Sequence, residues 1–260
     1  MKELIRLTAW NWQQAGRWRW GVALAMTLAE AAALGICAFN PRNATASFAA
    51  LFTGALCPLL FMAAYLVQLA VSLRPLWPQG RSTPANTWLM LELPRWQLLT
   101  AQVLASAVAL LCLMAWQIIL ALLLYWPATA LQMAAGADII GYVRPAGGFW
   151  WAVADNYLLR LLLPRATGGI GLLVLLLAAP AILGIGVLLH KGWQRVAALV
   201  VAMGGAGCCA VLAALQLLIA MSWDSGYRQA SGILRCVLIG LLALCWLWNL
   251  RALHRAEPAG

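Results

Sequence analysis

The chain has 260 residues, 65% of them apolar and only 9% charged, where soluble domains carry about a quarter charged. Too few polar side chains remain to cover a water-facing surface, so a soluble globular protein is excluded. The formal charge of +10 is scattered among short polar stretches, which points to membrane topology and anionic headgroups and not to nucleic acid.

Several apolar runs exceed the roughly 18 residues that cross a bilayer as a helix. The alternation of a membrane β-barrel is absent, so the expected fold is all-α and polytopic, with six transmembrane helices. The seven cysteines, Cys37, Cys57, Cys112, Cys208, Cys209, Cys236 and Cys245, fall inside or at the ends of apolar runs. They read as small packing residues, not as disulfides or metal ligands.

Residues 1–19 mix Lys2, Arg6, Arg17 and Arg19 with Trp10, Trp12 and Trp18. Indole rings favour the headgroup depth and arginines meet anionic lipid there, so an amphipathic interfacial helix is expected. No cleavable signal pattern is evident. The first span covers about 20–39 and holds Glu30 near its middle. A carboxylate at that depth is costly, so Glu30 should face protein or a water-filled cavity. It is either a pathway or gating group, or an acid hydrogen-bonded to a neighbouring helix. Residues 40–46 form a tight turn in which Asn43-Ala44-Thr45 fits a glycosylation triplet, a pattern common by chance. The second span is about 48–73, with Pro58 expected to kink it and Gln68 placed to bond another helix.

Residues 74–97 are too polar for lipid. Ser82 or Thr83 can cap a helix that starts at Pro84, and Pro94 should end it, giving a short cytoplasmic surface helix over 84–93. A plain interfacial loop fits the periodicity equally well. The run Arg81, Ser82, Leu91, Leu93, Pro94, Arg95, Trp96, Leu99, Ala101 and Leu104 resembles the segment that follows the second span in permease subunits of type-2 ATP-binding-cassette (ABC) exporters. Gln102 stands where many relatives have lysine. The resemblance covers about 25 residues directly and extends through the six-span layout. It implies that this segment carries the coupling helix that docks on an ATPase subunit. The residues it assigns to that interface are Arg81, Asn86, Trp88, Leu91, Glu92 and Arg95.

The third span is about 98–126, contains Gln102 and Gln117, and is closed by Trp126-Pro127. Residues 128–167 form the longest non-spanning region, with structured pieces expected at 129–140 and 149–163 along the outer interface. An extracytoplasmic cap and simple lipid anchoring suit them equally. The fourth span, about 169–190, carries Pro180 and leads into a turn with His190, Lys191 and Arg195. The fifth, about 196–221, has Gly204, Gly205 and Gly207 for close helix approach and Gln216 as its one strongly polar member. Ser222–Ser231 reads as a short outer loop. The sixth span is about 232–250, and 254–260 is a tail.

Six spans put both termini on one side. That side holds eleven lysines and arginines and the other six, so the positive-inside rule makes the termini and the 74–97 segment cytoplasmic. The expected location is a cell membrane, of the bacterial inner-membrane kind. The chain has no Gly-rich phosphate loop, no H-E-x-x-H, no G-x-S-x-G and only two histidines. It is therefore expected to be neither an enzyme nor a metal-binding protein itself. The resemblance implies ATP and Mg in partner ATPase subunits, a second permease subunit of the same or a related chain, and a hydrophobic or amphipathic cargo such as a lipid, peptide or drug. Glu30, Gln68, Gln117 and Gln216 are the candidate pathway residues. Two other functions fit the residues: a non-transporting scaffold or sensor, and a proton-coupled secondary transporter using Glu30, although no inverted repeat is evident.

Overall fold

The computed structural model describes residues 2–43, 46–74, 94–135, 149, 156, 167–190, 192–221 and 225–255. Among them the chain is all helical. The elements are α1 (Lys2–Gln14), α2 (Gly16–Phe39), a 3-10 turn (Pro41–Asn43), α3 (Phe48–Gly54), α4 (Cys57–Leu73), α5 (Arg95–Ala134), α6 (Thr167–Leu189), α7 (Trp193–Met221) and α8 (Ser225–Arg255). Among the described residues four segments are long and apolar enough to cross a membrane: Gly16–Phe39, Arg95–Ala134, Trp193–Leu212 and Gln229–Leu253. The bent pair α3–α4 makes a fifth if it is taken as one span. The expectation of six is thus met for four or five. Helix α6 holds 23 residues, of which the apolar stretch Leu175–Leu189 has described side chains.

Three boundaries differ from the sequence expectation. First, the bend expected at Pro58 is present, but as a break between two helices and not as a kink within one. The break lies just before it, where Leu56 takes φ +57° and α3 and α4 bend by 56°. Pro58 then occupies the first turn of α4, where its missing N–H is not needed. Ser47 caps α3 by accepting from the Ala50 N–H at 3.2 Å. Second, Trp126-Pro127 does not end the third helix, because α5 continues through Pro127 to Ala134. The Thr129 hydroxyl, bonded to the Tyr125 and Trp126 carbonyls, supports the turn that the proline disturbs. Third, the loop expected over 222–231 is helical from Ser225.

The helix α5 holds 40 residues, about 60 Å at the helical rise, which is longer than a bilayer with its headgroups. Trp96 and Trp126 are exposed and thirty residues apart, about 45 Å along the axis. That spacing matches the distance between the two aromatic belts of a membrane.

The described residues divide into two compact units, and α2, α4 and α5 contribute residues to both. The first comprises 1–19, 68–111 and 165–260; the second comprises 20–67 and 112–164. In the second unit, α2 and the distal half of α5 run in the same direction. Leu34, Ala38, Phe48, Leu51, Phe52, Cys57, Ala121, Tyr125 and Ala128 form its core. Phe149 joins that core edge-on to Tyr125 at 5.1 Å and stacked on Trp126 at 6.0 Å. Lipid tails are as apolar as leucine, so close packing and interhelical polar bonds hold such a bundle, not expulsion of water.

In the first unit, helix ends gather. Leu73, Leu99 and Ile185 pack together with Trp246 and Leu250 around them. Leu7 of α1 seats on Leu98 and Ala101. Helix α6 packs on both α7 and α8. Gly184 and Gly205 make room: a Cβ there would lie 2.5 Å from a methyl of Leu73 and of Leu183, respectively.

Candidate functional site

Glu30 is fully buried in the second unit, and its Oε2 accepts from the Gln117 side-chain amide at 2.8 Å. Three residues earlier on α2, the Thr27 hydroxyl accepts from the Trp116 indole N–H at 2.9 Å and itself donates to the Ala23 carbonyl. Glu30 lies nine residues, about 14 Å, before the end of α2 at Phe39, and the parallel course of α2 and α5 brings Gln117 to the same depth. Among the described residues Glu30 Oε1 and Gln117 Oε1 have no partner. Cys57, fully buried at the start of α4, lies within electrostatic range of Glu30 and of Cys37.

Of the two sequence alternatives for Glu30, the geometry displays the hydrogen bond to a neighbouring helix. No cavity is needed to explain the carboxyl. Its remaining oxygen is an open acceptor, so the site can take one further donor or a proton.

Gln117 belongs to a wider pattern. Gln102, Gln117 and Gln132 recur every fifteen residues along α5 and all are buried. Each sends its amide N–H to another element. Gln102 donates to the Ser72 carbonyl at 2.6 Å. Gln132 donates to the Asn43 and Ala46 carbonyls at 2.8 and 3.1 Å. Three amides thus tie one helix to α4, to α2 and to the turn after α2. The Asn43 side-chain amide donates to the Cys37 carbonyl at 3.0 Å, so the residue of the glycosylation triplet closes the end of α2.

The other expected pathway residues are placed differently. Gln68 is buried on α4 in the first unit, and its Oε1 has no partner among the described residues. Gln216 is carried by α7, but its side chain is outside the described set. Of the expected coupling residues, Arg81, Asn86, Trp88, Leu91 and Glu92 lie outside the described residues, as does most of 128–167. Arg95 is described, and its guanidinium donates to the Leu253 carbonyl near the end of α8. A cation there meets the negative end of the helix and satisfies a carbonyl left over by the last turn.

His190, expected in the turn after the fourth span, follows the last residue of α6. It is buried, its Nδ1 lies 2.8 Å from the Gly186 carbonyl, and its ring sits 4.1 Å from that of Trp248. The neighbouring Asn249 donates to the Ile182 carbonyl at 3.0 Å. Gly186 permits this approach, since a Cβ there would stand 3.0 Å from Asn249 Oδ1. A lone asparagine beside the polar end of an apolar run carries no spacing signal, so this tie was not legible beforehand. Among the described residues no group of three His, Cys, Asp or Glu side chains could hold a metal ion.

No family model matches the chain. Searches of curated proteins and of solved structures likewise return no match.

Proposed function

We propose that the chain is the membrane-spanning subunit of an ABC exporter whose ATP-binding subunits are separate proteins. The observation that carries this reading is the gathering of helix ends in the first unit. Arg74 and Arg95 flank the 75–93 segment; Arg74 lies over Trp18 and Arg95 bonds the end of α8. The amino-terminal helix packs beside them on Leu98 and Ala101. Such an arrangement supports placing both termini and the 74–97 segment on one side, the cytoplasmic side by charge balance. An ATPase docked on that segment then pushes directly on the ends of α4, α5 and α8. Different contacts in its ATP-bound and empty states bias the spans between two arrangements.

A mostly apolar interior, in which Glu30, Gln68 and Gln117 are among the buried polar side chains, favours a hydrophobic or amphipathic cargo. The scaffold reading uses the same cytoplasmic segment without transport. The proton-coupled reading rests on the open oxygen of Glu30. Substitutions in the segment separate the three: Leu91→Asp or Glu92→Arg should uncouple ATP hydrolysis from transport while leaving the spans folded. Transport that survives both unchanged would refute the coupling role.

A further inference from the structure

Two arginines at the corner between α1 and α2 are put to different uses. Arg19 is turned inward and buried. Its guanidinium lies 4.3 Å from the Trp12 ring centroid and donates to the Trp12 carbonyl at 3.1 Å, which fixes the corner. Arg17 faces outward, as does Trp18, which is 60% exposed. The exposed Arg74 at the end of α4 reaches the same place and holds its guanidinium 5.2 Å from the Trp18 ring centroid. The only acidic side chain among those described is Glu30, which is buried in the other unit. Neither outward arginine therefore has an acidic partner among the described side chains.

We infer that Arg17, Trp18 and Arg74 form a binding site for the headgroup of an anionic phospholipid in the adjoining leaflet. The inference rests on the reading of the chain as a membrane protein but not on the exporter assignment. Guanidinium groups present paired N–H donors to phosphate oxygens, and an indole packs at the boundary between headgroup and acyl chain. The stacked Trp18 holds Arg74 in place, so less side-chain freedom is lost when the phosphate arrives. A lipid fits better than a soluble anion because the exposed Trp18, in contact with Arg74 and next to Arg17 in sequence, offers an apolar face alongside the charge. The exposed Trp96 and Trp193 belong to the same unit and continue that mixed character.

The test uses the full chain in nanodiscs that contain equal phosphatidylglycerol and phosphatidylcholine. Lipids retained by the released protein are counted by native mass spectrometry. The protein should retain phosphatidylglycerol preferentially. Each surface cation contributes about fivefold to binding of anionic lipid, so Arg17→Gln with Arg74→Gln should cut the preference by up to roughly thirtyfold. The lysine pair Arg17→Lys with Arg74→Lys, which keeps charge, should recover most of it. Arg42→Gln, an exposed arginine of the other unit, should leave it unchanged. Circular dichroism checks that each variant keeps its helices. Equal retention of both lipids, an unaltered preference in the glutamine pair, or full displacement of the lipid by millimolar inorganic phosphate would each overturn the inference. A chain that fails to enter nanodiscs at all would instead refute the membrane reading.

Discussion

Replacing Gln117 by leucine tests whether the Glu30–Gln117 contact holds the second unit together. Leucine has nearly the volume of glutamine, so packing around Ala121 and Cys57 is little disturbed. The change removes the amide that donates to Glu30 at 2.8 Å and leaves a fully buried carboxyl without that donor. An orphaned buried polar group costs about 1–3 kcal/mol. Hydrogen bonds between membrane helices average nearer 0.6 kcal/mol when both partners can be removed. The two figures answer different questions, and a double-mutant cycle separates them. Gln117→Leu alone should destabilise by about 2 kcal/mol, since it strands Glu30. Glu30→Leu alone should cost less, because a neutral amide remains. The pair together should cost clearly less than the sum, with a coupling of at least roughly 0.5–1 kcal/mol. Unfolding in mixed micelles of mild detergent and dodecyl sulfate, followed by loss of helix signal, measures all three. Additivity within about 0.3 kcal/mol would mean that the two side chains do not interact, and the buried pair would be refuted.

Glycines on α6 and α7 give a contrast: Gly186→Ala drives a methyl toward Asn249 Oδ1 and should destabilise by about 1–3 kcal/mol. Gly204→Ala meets no atom within 4 Å and should be neutral or gain up to about 1 kcal/mol, both readable from thermal unfolding in detergent. Arg95→Gln removes the cation from the carboxyl end of α8. Hydrogen exchange should speed up in residues 250–255, consistent with a loss of about 1 kcal/mol, whereas unchanged exchange would argue against the contact. In a cysteine-free background, single cysteines at the exposed Gln13 and Gln194 should label with an impermeant maleimide from one side of the membrane. A cysteine at Asn40 should label from the other, and labelling of all three from one side would contradict the topology.

The membrane class, the helical fold and most helix extents were legible in the residues, because apolar length alone dictates them. Glu30 also stood out, since an acid within an apolar run must find a partner. Its partner was not legible: Gln117 lies 87 residues away, and only the parallel course of α2 and α5 puts the two at one depth. The local signal at Pro58 was sound, since the second span bends by 56° just before it, at Leu56. The signal at Pro127 misled: it looked like a stop, yet the helix continues through it to Ala134. The bond from Arg95 to Leu253 joins residues 158 positions apart, and no periodicity anticipates it.

The coupling proposal is tested most directly by purifying the tagged full chain from its native host in mild detergent and identifying what accompanies it. The account predicts a stoichiometric partner with a Gly-rich phosphate loop, and ATP hydrolysis by the purified complex. It also predicts that Leu91→Asp weakens the association. A chain that purifies alone, monodisperse and without ATPase activity, would contradict it and make Glu30 the next residue to substitute.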